Sequence, residues 1–237
     1  MKIDVVITGN NVTTDIVKDK VVIVIDILRA TSVIITAISN GAKSVIPVTN
    51  VEEALKIRNK MENVVLGGER KAKKIDGFDL SNSPLEYSKE NIQDKNVILT
   101  TTNGTKAITR SSSADKVYIG SLLNAKAVAR KVNEENKDIV VVLAGTNDKF
   151  SIDDFLAAGA IINDILEIKE YNLTDIAKTS LLLFNTNSDL EELISNAYHY
   201  NLLLDLGLHG DIKYCLEKDI LNIVPEFKNG IIKNYED

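Results

Sequence analysis

Four apolar stretches of the sequence end in side chains that could bind or transfer an anionic group. In chain order, the four groups are Asp26, Arg29 and Thr31; Glu69 and Arg70; Thr101, Thr102, Asn103 and Thr105; and Gly145, Thr146, Asp153 and Asp154. Carboxylate oxygens are ligands that Mg²⁺ prefers, and the planar guanidinium of arginine recognises phosphate, carboxylate or sulfonate. Threonine hydroxyls and backbone N–H groups stabilise charge on a phosphoryl group during transfer. The set therefore indicates a Mg²⁺-assisted reaction at a phosphoryl group.

The third group is the densest of the four. An apolar, β-branched run at residues 97–100 is followed by hydroxyls, an amide and Gly104, and a helical pattern resumes at Lys106. A strand that opens a helix in this way presents backbone N–H groups and the positive end of the helix dipole to one point. Gly104 would let a ligand approach the backbone closely. The segment predicts a phosphate-binding loop; the alternative is an ordinary helix cap and turn.

Asp26 follows a run of valines and isoleucines, so it is expected to be shielded from water. A buried, unpaired carboxylate is costly, which predicts a metal ion or a cationic side chain beside it. Arg29 could be that cation, simply by pairing with Asp26. Glu69 could be a surface turn residue, and one of Asp153 and Asp154 could be only a favourable charge at the start of a helix.

The two histidines and the single cysteine carry weaker signals. His199 lies in a helical pattern and is expected on the helix surface. His209, between Leu208 and Gly210, is the better candidate for a site, with a turn or cap role as the alternative. Cys215 has no arginine after it at the spacing of a phosphate-binding thiolate loop, so a small buried hydrophobe is the expected role.

Several known phosphate and nucleotide motifs are missing. The sequence has no G-x-x-x-x-G-K-[ST] loop, no G-x-S-x-G elbow and no dinucleotide G-x-G-x-x-G after a strand. Leu28 stands two positions after Asp26, where aspartyl-phosphate phosphatases carry a second aspartate. These differences argue against the P-loop, α/β-hydrolase and dinucleotide-binding classes and against that phosphatase class.

Strands and helices alternate through about two-thirds of the chain. Strands are predicted at residues 3–7, 21–27, 43–48, 64–66, 96–101, 116–119 and 138–143, and helices at 31–40, 51–61, 124–133 and from about 151. After residue 173, helices are predicted at 174–185, 189–204 and 208–217, followed by two short strands or an extended tail at 220–232.

This order predicts one α/β domain, residues 1–237, with a three-layer α/β/α architecture and a mostly parallel or mixed sheet. The helix-rich C-terminal third, about residues 173–217, is expected to pack on that domain. If the four strands that precede the candidate residues are parallel, their carboxyl ends lie at one edge. Ligands of open α/β sheets bind at that edge.

The composition is that of an ordinary globular protein, with 44% hydrophobic and 26% charged residues and a net charge of -6. The acidic balance argues against nucleic-acid binding and requires a local positive site for an anionic substrate. A single cysteine excludes an internal disulfide and fits a reducing compartment. No apolar run approaches the ~20 residues of a membrane span, and no signal-peptide pattern is found, so we expect a cytoplasmic protein without a membrane partner.

Several segments, taken together and in this order, resemble the 2-phosphosulfolactate phosphatases of the ComB type. They are residues 24–32 (VIDILRATS), 66–70 (LGGER), 77–84 (GFDLSNSP), 100–105 (TTTNGT), 144–146 (AGT) and 150–154 (FSIDD). The resemblance implies a magnesium-dependent acid-type phosphatase that hydrolyses 2-phospho-3-sulfolactate to 3-sulfolactate and phosphate. That reaction is a step of coenzyme M biosynthesis.

On this hypothesis Asp26 and Glu69, together with Asp154, hold the Mg²⁺ ion. Arg29 and Arg70 bind the sulfonate or carboxylate, or neutralise the phosphoryl oxygens. The substrate-binding residues are expected to be Thr31, Thr101, Thr102, Asn103, Gly104, Thr105, Gly145 and Thr146. Water attacks the phosphorus with a carboxylate as base, and a covalent aspartyl-phosphate on Asp26 is the alternative.

Two other functions stay open at this point. The substrate could be a related phosphorylated hydroxyacid, because members of the family also occur where coenzyme M is not expected. The protein could also bind a small anion without catalysis, although carboxylates in an anion pocket are useful only if a metal bridges them. A homodimer is expected from the frequency of closed homo-oligomers among soluble enzymes.

Overall fold

The structure, a computed structural model, describes residues 1–186 and 189–235. In these residues eleven strands form one mixed sheet: β1 (Lys2–Val6), β2 (Val21–Ile25), β3 (Ser44–Val48), β4 (Val64–Arg70), β5 (Lys73–Lys74), β6 (Asn96–Thr100), β7 (Lys116–Gly120), β8 (Ile139–Leu143), β9 (Asn172–Leu173), β10 (Glu226–Lys228) and β11 (Ile231–Lys233). The α-helices are α1 (Thr14–Val17), α2 (Ala30–Ser39), α3 (Val51–Arg58), α4 (Lys89–Ile92), α5 (Gly104–Arg110), α6 (Ala125–Glu134), α7 (Ile152–Leu166), α8 (Asp175–Asn185), α9 (Leu190–Ile194), α10 (Tyr198–Asp205) and α11 (His209–Cys215).

The sheet consists of two parallel groups joined by a hairpin. Strands β7, β2, β8, β1 and β9 are parallel to one another, and so are β3, β6 and β4. The β10–β11 hairpin pairs antiparallel with β7 on one side and with β3 on the other. The predicted mixed sheet is confirmed. The strands that precede the four groups of candidate residues are not all parallel, because three antiparallel pairings in the strand order separate β2 and β8 from β4 and β6.

Sheet twist explains how the two groups can still share a site. Neighbouring strands rotate by about 20–25° relative to each other, always in the same sense. Six steps separate β4 from β2 in the strand order, so the accumulated rotation is roughly 120–150° on that average. This rotation is enough to turn the carboxyl ends of oppositely directed groups toward each other.

Both faces of β2 are covered, which confirms the three-layer architecture. Its odd-numbered residues, such as Ile23, belong to a core cluster with α6 and α7, and its even-numbered residues, such as Val24, belong to a second cluster with α2 and α5. This alternation is the period of two of an extended strand. A strand buried on both faces needs a continuous apolar run, and residues 21–25 supply it.

Two predicted elements differ from the structure. Strand β4 extends to Arg70 because its end pairs antiparallel with β5, so Glu69 and Arg70 lie on the strand and not beyond it. The helix predicted at 189–204 is two helices, α9 and α10. The Ser195 and Asn196 side chains bond the carbonyl of Glu192 between them, which favours a helix end there.

The C-terminal helices pack on the sheet through the first core cluster. Ile194, Leu203 and Ile212, one from each of α9, α10 and α11, are buried with the side chains of β2 and α7. In the part of the chain that the structure describes, no helix is long and apolar enough to cross a membrane.

Helices α7 and α8 meet at Gly159. A β-carbon at this position would lie 2.3 Å from the carbonyl oxygen of Ser180 and 2.8 Å from the β-carbon of Phe184. Both distances are well below van der Waals contact, so the helix pair depends on the absence of a side chain here.

We predict that Gly159→Ala destabilises the protein. Helix propensity alone favours alanine by about 1 kcal/mol, but overpacking against a backbone carbonyl costs about 1–3 kcal/mol, and the overpacking should prevail. Urea unfolding is the measurement. Asn163→Ala, at a partly exposed position of the same helix, should leave the midpoint nearly unchanged. A stabilising Gly159→Ala change would contradict the close helix contact.

Candidate active site

A small cavity lies where residues from both strand groups meet, and four carboxylates line it: Asp26, Glu69, Asp153 and Asp154. The cavity has a volume of about 20 Å³, somewhat more than the roughly 10–15 Å³ that one enclosed water needs. It is therefore large enough for an ion or a water molecule. All four carboxylate side chains are buried.

A wider groove adjoins the cavity. Its volume is about 580 Å³, and its lining includes Arg70 and Lys71. Glu69, Asn103, Thr146 and His199 line both the cavity and the groove. The groove has the size of a small-molecule site, and it carries positive charge next to the acidic cavity.

The turn after β2 holds Asp26 in place. The Thr31 hydroxyl accepts a hydrogen bond from the Asp26 N–H and donates one to its carbonyl. The Ala30 N–H donates to Asp26 Oδ1 over 3.2 Å. Thr31 is fully buried and its hydroxyl bonds within this turn, so the structure places it behind the site and not in the cavity lining.

Gly104 allows Asp26 to reach the cavity. A β-carbon on Gly104 would lie 2.6 Å from Asp26 Oδ2 and 2.6 Å from the β-carbon of Ala30. The close approach predicted for Gly104 is therefore made by a carboxylate of the protein itself.

Glu69 links the loop after β6 to the turn after β4. Its Oε1 accepts hydrogen bonds from the N–H and hydroxyl of Thr102, at 2.7 and 2.8 Å, and its Oε2 accepts one from the Ala72 N–H. Lys71 and Ala72 have φ values of 53° and 61°, as in a type I′ hairpin turn. Such angles are unfavourable for residues other than glycine, so the bond from Ala72 to Glu69 helps to hold the turn.

Thr101 and Thr105 bond mainly to each other. The Thr105 N–H donates to the Thr101 hydroxyl, and the Thr101 N–H donates to the Thr105 hydroxyl, at 3.1 and 3.3 Å. Thr101 and Asn103 line the cavity, whereas Thr105 is fully buried behind them. Part of the predicted phosphate loop is thus a supporting network for the residues that face the cavity.

The two aspartates at the start of α7 play different parts. Asp154 accepts hydrogen bonds from the backbone N–H groups of Ile27 and Gly145, one on each oxygen, at 3.0 and 3.1 Å. It therefore ties the turns after β2 and β8 together. Asp153 Oδ1 accepts a hydrogen bond from the Ser151 hydroxyl, which also approaches Thr146. Asp153 lines the cavity, so it is more than a charge at a helix start.

Burial and crowding of like charges raise the pKa values of the aspartates. The pKa of Asp26 is raised to about 7, chiefly by burial and further by the charges of Asp153 and Glu69. Burial also raises the pKa of Asp153, and it raises that of Asp154 well above its usual range, with help from the other two aspartates. Such shifts are typical of functional sites.

The predicted arginines lie in different places. Arg29 lines the cavity, but it pairs with Asp211 of α11 and not with Asp26. Arg70 donates to the Glu69 carbonyl and the Thr100 hydroxyl and lines the groove. The site therefore has one guanidinium at the cavity and one at the groove.

Three buried polar atoms at the cavity have no hydrogen-bond partner in the described residues: Arg29 Nε, Asn82 Oδ1 and His199 Nδ1. Buried polar groups are nearly always paired, so three orphans around one cavity indicate a place for a ligand. Asn82 lies in the 77–84 segment, but its role was not predicted.

The prediction that His199 is a surface residue is wrong. Helix α10 packs over the cavity, and burial lowers the pKa of His199, an effect that the charge of Asp153 partly offsets. His209, the preferred histidine candidate, is exposed at the start of α11 and lies outside the lining of the cavity and the groove. A helical pattern alone does not tell which neighbours a helix will have.

Most of the residues selected from the sequence lie at this one place. The cavity is lined by Asp26, Arg29, Glu69, Thr101, Asn103, Gly145, Thr146 and Asp154, and the groove adds Arg70 and Thr102. Thr31, Gly104 and Thr105 lie immediately behind them. A buried acidic cavity beside a groove with cationic side chains has the charges needed to hold a cation next to an anionic group.

Comparison with known proteins identifies the family. The family model described as 2-phosphosulpholactate phosphatase matches residues 6–230. A protein of Clostridium perfringens (strain SM101 / Type A), named probable 2-phosphosulfolactate phosphatase, is 53% identical over 240 residues, covering 100% of this chain and 97% of the relative. Proteins of the same name from Clostridium beijerinckii and Clostridium acetobutylicum are 50% and 49% identical, each over 98% of this chain and 99% and 100% of their own. The chain therefore belongs to the 2-phosphosulfolactate phosphatase family, which consists of phosphoric monoester hydrolases.

The two histidines provide a matched test of the site. His199→Ala removes a half-buried imidazole whose Nδ1 is buried at the cavity, and it should lower kcat/KM about 10- to 150-fold, the loss expected for one hydrogen bond to a charged group. His209→Ala, at an exposed position, should leave kcat/KM within about twofold of the unsubstituted protein. Steady-state phosphate release measures both. Equal effects of the two substitutions would show that α10 does not contribute to the site.

Proposed function

We propose that the protein hydrolyses 2-phospho-3-sulfolactate to 3-sulfolactate and phosphate, as in coenzyme M biosynthesis, and that it uses Mg²⁺. The names of the relatives support this substrate, and the whole chain aligns with them. The observation that carries the proposal is the ion-sized, four-carboxylate cavity that opens on a groove with Arg70 and Lys71. The substrate has three anionic groups, a phosphate, a carboxylate and a sulfonate, so it needs both a metal ion and cationic side chains.

The donor set fits Mg²⁺. In residues 1–186 and 189–235, no three His, Cys, Asp or Glu side chains are arranged to hold a metal ion by themselves. Mg²⁺ does not need such a group, because it commonly takes one or two carboxylates and completes its shell with water and phosphate oxygens. When bound, it would offset negative charge on the phosphoryl oxygens and activate a water molecule.

Asp26 and Asp153 are the proposed direct ligands. In the described residues, Asp26 uses only Oδ1 as a hydrogen-bond acceptor, and Asp153 is held by Ser151 through one oxygen. Asp153 was not among the ligands expected from the sequence, which were Asp26, Glu69 and Asp154. Asp154 and Glu69 already accept backbone N–H groups on both of their oxygens. We propose that these two orient the surrounding loops and contribute charge.

The remaining residues bind different groups of the substrate, some at the cavity and others in the groove. We propose that the phosphoryl group lies where the two meet, beside Asn103, Thr146 and His199. Arg29 Nε would donate to a phosphoryl oxygen, and Arg70 with Lys71 would bind the sulfonate or the carboxylate. A water molecule attacks phosphorus and gives one proton to a cavity carboxylate, and the P–O bond to the substrate carbon chain breaks. That proton then passes to the leaving oxygen, so the products are the hydroxyacid and hydrogen phosphate.

The first experiment measures phosphate release from phosphosulfolactate and phospholactate, with Mg²⁺ and with EDTA. We expect Mg²⁺-dependent release from phosphosulfolactate and a much lower kcat/KM for phospholactate, because the groove cations would lack the sulfonate. Equal release from both would assign a broader phosphorylated hydroxyacid as the substrate. Binding without release from either would favour a non-catalytic anion-binding protein.

Asp26→Asn is the matched variant in this assay, since it keeps the size of the side chain and removes the charge. It should lower kcat by about 10²- to 10⁴-fold. Asp115→Asn, which removes an exposed carboxylate paired with Lys137, should have no effect on turnover. Near-normal activity of Asp26→Asn in a protein with wild-type melting behaviour would sink the assignment of the cavity.

Mg²⁺ should stabilise the protein more at pH 8 than at pH 5. The folded-state pKa of Asp26, about 7, exceeds the unfolded value of about 3.9. In the metal-free protein this group therefore makes the free energy of unfolding fall as the pH rises from about 4 to 7 and stay level above that. Mg²⁺ binds the ionised carboxylates, so its binding offsets the fall in the free energy of unfolding that the metal-free protein shows as the pH rises.

Melting temperatures with Mg²⁺ and with EDTA at the two pH values test this linkage. An ion at about 100 times its Kd adds about 2.7 kcal/mol. Ca²⁺, with its larger shell, serves as the comparison ion. A Mg²⁺ effect that is larger at pH 5 would place the metal away from Asp26.

A further inference from the structure

Arg29 is a buried arginine in which one nitrogen has no hydrogen-bond partner among the described residues. Its side chain is 1% exposed. One terminal nitrogen, Nη1, donates to Asp211 Oδ2, and the other, Nη2, donates to the Ala72 carbonyl over 3.0 Å. The third nitrogen, Nε, has no partner in the described residues, although the side chain lines the cavity. Both terminal nitrogens of the guanidinium are therefore anchored, and Nε is the nitrogen left without a partner for a ligand to use.

Asp211 is itself held from two sides. It lies in α11, 182 residues after Arg29. Its Oδ1 accepts a hydrogen bond from the Ser83 hydroxyl over 2.6 Å, while Oδ2 accepts from Arg29. Ser83 directly follows Asn82, another cavity residue. The carboxylate thus connects the C-terminal helices with the loop after β5 and with the turn after β2.

Stability is a poor explanation for this arrangement. Desolvation of two charges offsets most of the attraction in a buried ion pair, and an apolar pair of similar volume is often as stable. The need to fix the position of the Arg29 guanidinium explains the arrangement better, because four carboxylates line the adjoining cavity. An arginine that was free to rotate would pair with one of them and would no longer face a ligand. Asp211 offers a fifth carboxylate on the far side of the guanidinium.

We propose that Asp211 is a positioning residue of the active site and acts through Arg29. It holds the guanidinium plane so that Nε faces the anionic group bound at the cavity, and it keeps Arg29 from pairing with the metal-site carboxylates. The inference rests on the proposed function for the identity of the substrate. It requires only that an anion binds at the cavity.

A double-mutant cycle on Asp211 and Arg29 tests this role. Asp211→Asn keeps the shape and one acceptor, and it should lower kcat/KM about 10- to 100-fold, as for other supporting residues of a site. Arg29→Gln should cost at least as much. Because Asp211 acts through Arg29, Asp211→Asn should lower kcat/KM by less than about twofold in the Arg29→Gln protein. The double variant should also melt higher than Arg29→Gln, in which Asp211 is left unpaired.

Binding of inorganic phosphate to the Mg²⁺-loaded protein gives a readout that does not depend on turnover. Calorimetry should show about tenfold weaker phosphate binding in Asp211→Asn and no further loss when Arg29→Gln is already present. Failure of phosphosulfolactate turnover with this coupling intact would overturn the proposed substrate and not the role of Asp211. A wild-type protein that binds no phosphate would overturn both.

Two further variants separate positioning from stability. Asp164→Asn breaks another partly buried ion pair, with Lys218, away from the cavity. It should lower the melting temperature and leave kcat/KM unchanged. If Asp211→Asn does not fold, Ser83→Ala still loosens Asp211 and should weaken phosphate binding only when Arg29 is present. Wild-type kcat/KM in a folded Asp211→Asn protein, or equal losses with and without Arg29, would refute the inference.

Discussion

The concentration of negative charge in a small buried volume is the constraint on which the site depends. Asp26, Glu69, Asp153 and Asp154 line one cavity, and burial raises the pKa values of the three aspartates, with a further rise from neighbouring carboxylates for Asp26 and Asp154. Backbone N–H groups stabilise Glu69 and Asp154. In the proposed function a bound cation balances the charge that remains, so that the repulsion that weakens the metal-free fold would favour metal binding.

The C-terminal helices are part of this site as well as its cover. Helix α10 supplies His199, and α11 supplies Asp211, which holds Arg29. Their apolar faces join the core cluster that contains β2 and α7, so the packing that buries Leu203 and Ile212 also sets where His199 and Asp211 lie. The same contacts therefore determine both the packing of the core and the positions of His199 and Asp211 at the site.

Much of the site could be predicted from the sequence because the signals are local. Apolar runs that end in Asp26, in residues 101–103 and in residues 145–146 mark strand ends in an α/β protein, and the residues at those ends do face one cavity. The premise that all of those strands are parallel was wrong. The β10–β11 hairpin joins the two groups, residues from both groups line one cavity, and a strand pattern contains no information about this arrangement.

By itself, the sequence determined the elements, the three layers, the family and most of the residues at the site, since hydrophobic periodicity, caps and short motifs are properties of neighbouring residues. Only the tertiary structure decided which polar atoms are free. The hydroxyls of Thr31 and Thr105 bond to the backbone of their own turns. Arg29 Nε and His199 Nδ1 have no partner in the described residues and belong to residues that line the cavity. The physical reason is that a side chain's partners can lie far along the chain, as Asp211 does from Arg29, and burial removes water as the alternative partner.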